Sequence, residues 1–127
     1  MNEENTSPVP SLWQRVAAWF LFLSYAVGSP IFAIIEAQTG VFSERFDYPS
    51  ELLYLVSGVQ FICALVLFRR ALAPWSALIL TVLALGAVYS HIRINSAATA
   101  LPALLYAAIQ VWYGIQMYRL RRDEHSG

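Results

Sequence analysis

The stretch VAAWFLFLSYAVGSPIFAII, residues 16–35, carries no charge and decides the fold. At about 1.5 Å of rise per residue, twenty helical residues cover the roughly 30 Å hydrocarbon core of a bilayer. Helix-compatible sequence extends around it from Leu12 to Ala37. Working outward, three similar stretches follow. Leu52 to Phe68 begins after Pro49-Ser50-Glu51 and stops at Arg69-Arg70. Ala71 to Ile92 is uncharged and has Pro74 near its start, where the missing N–H costs a helix nothing. Ile94 to Tyr118 precedes Arg119, Arg121 and Arg122.

Composition agrees with a membrane protein. Of 127 residues, 58% are hydrophobic and 13% charged, against about 45–50% and about 25% in soluble domains. Eight arginines balance eight acids and there is no lysine, which removes nucleic acid and acidic polymers as obvious partners. Cys63 is the only cysteine, and His91 and His125 the only histidines. No disulfide framework follows, and no haem or metal is expected within one chain.

Lipid cannot satisfy open backbone, and alternating β patterns are absent, so the expected fold is an all-α integral membrane four-helix bundle. Its spans are expected at about 12–37, 51–69, 74–93 and 97–118, within a transmembrane domain of residues 12–120. A disordered tail, 1–11, precedes it and a C-terminal tail, 121–127, follows. Glu3 and Glu4 stand where a signal peptide would be basic, which argues against one. Short connections make neighbouring helices antiparallel. The longer first loop, Gln38 to Pro49, has room for a small functional feature. Four spans put both ends and the second loop on one side, with Arg15, Arg69, Arg70, Arg119, Arg121 and Arg122, against Arg45 and Arg93 on the other. The positive-inside rule then predicts both termini in the cytoplasm of a bacterial inner (plasma) membrane.

Inside the spans the polar residues are the informative ones, because each needs a partner or a wet cavity. Helical spacing places Tyr25, Ser29, Phe32 and Glu36 on one face of the first span, and Tyr54, Ser57 and Gln60 on one of the second. Thr81, Ala84, Val88, His91 and Asn95 share a face of the third, and Tyr106, Gln110 and Tyr113 one of the fourth. These stripes predict a polar seam and an outward-facing pocket, with Glu36 and His91 near the mouth and Tyr54, Gln60, Tyr106 and Gln110 as ligand-binding candidates. His91 is the candidate catalytic residue, since imidazole titrates near neutral pH and both donates and accepts. Arg93 is expected to anchor its helix to outer headgroups or to pair with Glu36 or Glu51. Each span has one glycine, Gly28, Gly58, Gly86 or Gly114, expected to allow close helix approach.

Pro49 to Gln60 (PSELLYLVSGVQ), an apolar span ending in Arg69-Arg70, Leu85 to Arg93 (LGAVYSHIR) and Ala100-Leu101-Pro102-Ala103 together resemble the DoxX-like family of small four-helix membrane proteins. The resemblance covers about residues 12–120, and its most specific part is Gly86 to Arg93 followed by Pro102. Members often carry an acidic residue where this chain has Gln60. The resemblance implies association with quinone-linked redox enzymes and suggests quinol or proton contact at His91.

The expected function is therefore a redox-associated membrane subunit, an oxidoreductase component dependent on a partner, with a pocket for a quinone or other lipophilic ligand. The alternative is a non-catalytic accessory or assembly subunit of a larger membrane complex. A third possibility is a small transporter or channel acting as an oligomer. Expected partners are the lipid bilayer and other membrane or redox subunits, or further copies of the chain.

Overall fold

The computed structural model describes residues 11–126. Among them 87% are helical and none forms a strand. The expected tail at 1–11 lies, except for Ser11, outside the described residues. Ser11 itself opens the first helix, α1 (Leu12–Thr39). Its hydroxyl accepts from the Gln14 N–H at 3.2 Å, and the Gln14 amide oxygen accepts from the Ser11 N–H at 2.8 Å. This reciprocal capping satisfies two N–H groups that a helix start leaves open. The helix ends at Gly40, whose φ of +63° and N–H bond to the Glu36 carbonyl close the last turn.

A six-residue helix, α2 (Val41–Phe46), follows in the first loop. Then come α3 (Ser50–Leu65), α4 (Ala73–Arg93), a 3-10 turn over Ala97–Ala100, and α5 (Leu101–Ser126). The helices α1, α4 and α5 are long and apolar enough to cross a membrane, while α3, at 16 residues, is shorter.

Two boundaries differ from the hydropathy pattern. Residues 66–68 are apolar enough to continue the second span, but the chain turns there and buries Leu67 completely. The buried Tyr113 hydroxyl donates to the Leu67 carbonyl at 2.9 Å, supplying a donor to a carbonyl beyond the helix end. At the other end of the chain, α5 runs through Arg119, Arg121 and Arg122 to Ser126. Charge marks where a helix leaves lipid, and arginine remains a good helix former beyond that point.

The main helix contacts are α1 against α3 and α4 against α5, with α3–α4 and α1–α5 contacts joining the pairs. Packing is uneven along their length. The core is built from Ala17, Ala18 and Leu21 of α1, Cys63 of α3, Leu67, Ala73, Ala77 and Leu80, and Tyr113 and Met117 of α5. All of these lie toward one end. At that end Gln14 Nε2 donates to Gln116 Oε1 at 3.0 Å and Arg121 donates to the Ala71 carbonyl at 3.2 Å. The start of α1, the α3–α4 connection and the last part of α5 thus gather there, together with six of the eight arginines.

Glycine marks the same contrast. An added Cβ at Gly114 would meet the Ala77 Cβ at 3.0 Å, so α4 and α5 approach closely there. At Gly28, Gly58 and Gly86 it would meet nothing within 4 Å. Only Gly114 of the four sits at the close approach expected for them all.

Large apolar side chains cover the outer faces: Trp19, Leu55, Val82 and Leu105 are each more than half exposed. Such a surface suits lipid and would be costly against water.

Candidate functional site

Away from the packed end the helices border a half-open cavity of about 680 Å³. Its walls come from α1 (Ser24, Tyr25, Gly28, Ser29, Phe32), α3 (Leu52, Leu53, Val56, Gln60), the second half of α4 as far as His91, and Ala103 and Tyr106 of α5. Phe46 and Tyr48 close it at the loop end. Gly28 and Gly86 both border it, so the missing side chains widen the space between helices.

Polar groups around the cavity are fastened across helices. The Ser29 hydroxyl donates to Gln60 Oε1 at 3.1 Å, leaving the Gln60 NH2 group without a partner among the described residues. The Tyr106 hydroxyl donates to Ser24 Oγ at 2.8 Å, and the Tyr25 hydroxyl to Gln110 Oε1 at 2.9 Å. Nearer the loop, the Tyr48 and Ser90 hydroxyls share a bond of 2.8 Å.

His91 borders the same space, its ring in a T-shaped contact with Phe46 at 5.1 Å between centroids. Its Nδ1 lies 2.7 Å from the Thr99 hydroxyl, which is also 2.7 Å from the Ser96 carbonyl. A hydroxyl has one proton. With that proton on the carbonyl, Thr99 accepts from Nδ1–H, and the neutral ring then keeps Nε2 as its open acceptor.

The short helix α2 is clamped at both ends. Gly40, its N-cap, has no side chain with which to cap. The buried Glu36 does so instead: Oε1 accepts from the Phe42 and Ser43 N–H groups at 2.9 and 3.2 Å. Its Oε2 accepts from the Ser50 hydroxyl at 2.7 Å, which ties α2 to the start of α3. Only donors meet this carboxyl group, which fits the acceptor-only ionised form. At the far end the Arg93 guanidinium donates to the Phe46 carbonyl and lies over the Tyr48 ring, 4.8 Å from its centroid. An anion at the start and a cation at the end of a helix both complement its dipole. Arg93 therefore meets the end of α2 in place of the acidic partners expected for it.

Of the six candidate site residues read from the sequence, the cavity brings together three: Gln60, Tyr106 and His91. Glu36 lies beside it as the support of α2. Tyr54 is exposed on the outer face of α3, away from the cavity lining. Gln110 is fully buried and bonded to Tyr25; its Nε2, like the Ser57 hydroxyl, has no hydrogen-bond partner among the described residues. Ser24, Phe46, Tyr48 and the two cavity glycines were not foreseen as site residues. Pairing of Tyr106 with Ser24 and of Tyr48 with Ser90 depends on how helices are rotated, and the one-glycine-per-span pattern reads equally as close packing.

Long helices with apolar outer faces, and with hydroxyls and amides bonded between them, define a small helical membrane protein. The profile of the DoxX-like family matches residues 15–113, and the chain belongs to that family. No curated protein and no solved structure matches it.

Proposed function

We propose that the chain is a small multi-pass subunit of a bacterial inner membrane that holds a quinone-type lipophilic ring between its helices and serves a redox partner. The observation that carries this reading is the cavity. About 680 Å³ is within the range of small-molecule sites, and its apolar walls with few polar groups suit a flat ring with oxygen substituents. A bound quinone would supply two-electron, two-proton carriage. The Gln60 NH2 group would donate to a ring oxygen. His91 Nε2 would accept from a ring hydroxyl and could hold its proton. Phe46, Leu53 and Val56 exclude water from the space between them.

Orientation belongs to the same proposal. Six arginines at the packed end against two at the cavity end support a reading with both termini in the cytoplasm and the cavity toward the outer face. An alkaline phosphatase fused after Gly127 should be inactive, and strong activity would invert this arrangement.

The test of the cavity uses its glycines. Gly28→Leu and Gly86→Leu add side chains where nothing stands within 4 Å, and leucine favours a helix by more than glycine does. Each variant should insert and melt like the parent or slightly better. Solvent extraction of gently purified protein followed by mass spectrometry should find a co-purified lipophile in the parent, reduced at least tenfold in both variants. Equal retention would place the ligand elsewhere. Absence of any such molecule from the parent, with stable co-purification of larger subunits, would favour an accessory role.

A further inference from the structure

A second crevice lies at the opposite, arginine-rich end, on the outer side of the α4–α5 contact. It measures about 320 Å³ and is bordered by Pro74, Leu78 and Thr81 of α4 and by Gln110, Val111, Ile115 and Tyr118 of α5. Its floor is the close approach of Gly114 to Ala77. Leu78, Val111 and Ile115 are each about half exposed, so the groove is apolar and faces lipid. Arg119 and Arg122, one helical turn apart, complete the lining where α5 leaves the apolar region.

The geometry points to a specific site for one anionic phospholipid, its phosphate held by Arg119 and Arg122 and an acyl chain laid along Leu78, Val111 and Ile115. Two features beyond the groove support that occupant. The first is charge. Arg119 makes no hydrogen bond or ion pair among the described residues. Among the described residues Arg122 has only a 3.9 Å contact with Asp123, and both side chains are more than half exposed, so solvent screens that pair. Arginine's fork of donors matches phosphate oxygens. The second is the start of α4. Pro74 brings the beginning of this 21-residue helix to the rim, and no acidic residue in its first turn offsets the partial positive charge there. An uncharged lipid would use the apolar walls and leave both cationic features unmatched.

The site is separate from the cavity, so the two stand or fall independently. The full chain is reconstituted into vesicles of phosphatidylcholine with a minority of phosphatidylglycerol, extracted gently and examined by native mass spectrometry. Each arginine near a membrane surface contributes about a fivefold preference for anionic lipid, so two predict a ratio of retained phosphatidylglycerol to phosphatidylcholine about ten- to thirtyfold above that of the vesicle. The Arg119→Gln, Arg122→Gln double variant should lose that enrichment. Arg15→Gln, Arg69→Gln removes the same charge from the same end but away from the crevice, and should keep it. Leu78→Trp, which fills the groove and leaves both arginines, should also lose the retained lipid. No enrichment in the parent, or equal loss in the two arginine pairs, overturns the proposal; equal loss means that only the general surface charge attracts the lipid.

Discussion

Glu36→Leu should destabilise the protein by about 2–3 kcal/mol, read as a clear fall in the detergent melting temperature. The loss reflects three donors left unmatched, the Phe42 and Ser43 N–H groups in the first turn of α2 and the Ser50 hydroxyl. Glu36→Gln should lose only about 1 kcal/mol, because its amide oxygen can still accept from the backbone and its NH2 can donate to Ser50. The effect should extend to the cavity, since α2 carries Phe46 and leads into Tyr48. A leucine variant melting with the parent would mean that α2 is held by Arg93 and the stacked Phe32 and Phe42 rings, 4.2 Å apart, without help from the carboxylate.

His91→Ala should leave membrane insertion and melting nearly intact and lower ligand retention about tenfold or more, with a matching loss in the activity of the partner complex. Its structural bond is to Thr99, in an exposed connection, so little of the fold depends on it. If Nε2 is the acceptor for a ring hydroxyl, removing it costs a hydrogen bond of about 1–1.5 kcal/mol, close to tenfold in affinity, and leaves the ligand's hydroxyl unpaired as well. His91→Gln should recover part of the binding, because an amide can replace one hydrogen bond. It should not recover a step that needs a proton taken up and released. Unchanged ligand and unchanged activity in the alanine variant would make His91 an interfacial anchor and move the reading to an accessory subunit.

Much of the candidate site could be read as stripes. Gln60, Tyr106 and His91 stand out because a polar residue in an apolar helix is conspicuous, and helical spacing tells which of its neighbours share its face. Gln60 and Gln110 look alike as lone amides in apolar spans, yet one bonds Ser29 and the other Tyr25. Periodicity fixes a residue's angle on its own helix and says nothing of the angle between helices. Tyr54 shows the same limit, since its stripe with Gln60 ends on the outer face of α3.

By itself the sequence determined that the chain is helical, that it is built for lipid, and where its long helices begin, within a few residues. These follow from local quantities: the transfer of apolar side chains, the lack of backbone partners in hydrocarbon, and the charges that end each stretch. Only the tertiary structure decided that one end is packed around Gly114 and Ala77 while the other is hollow around Gly28 and Gly86. It also decided that Glu36 and Arg93 hold a short helix at the cavity's edge. A glycine looks the same in sequence whether a neighbouring helix presses against it or stands away, and a carboxylate reveals its partners only when the chain has turned back to supply them.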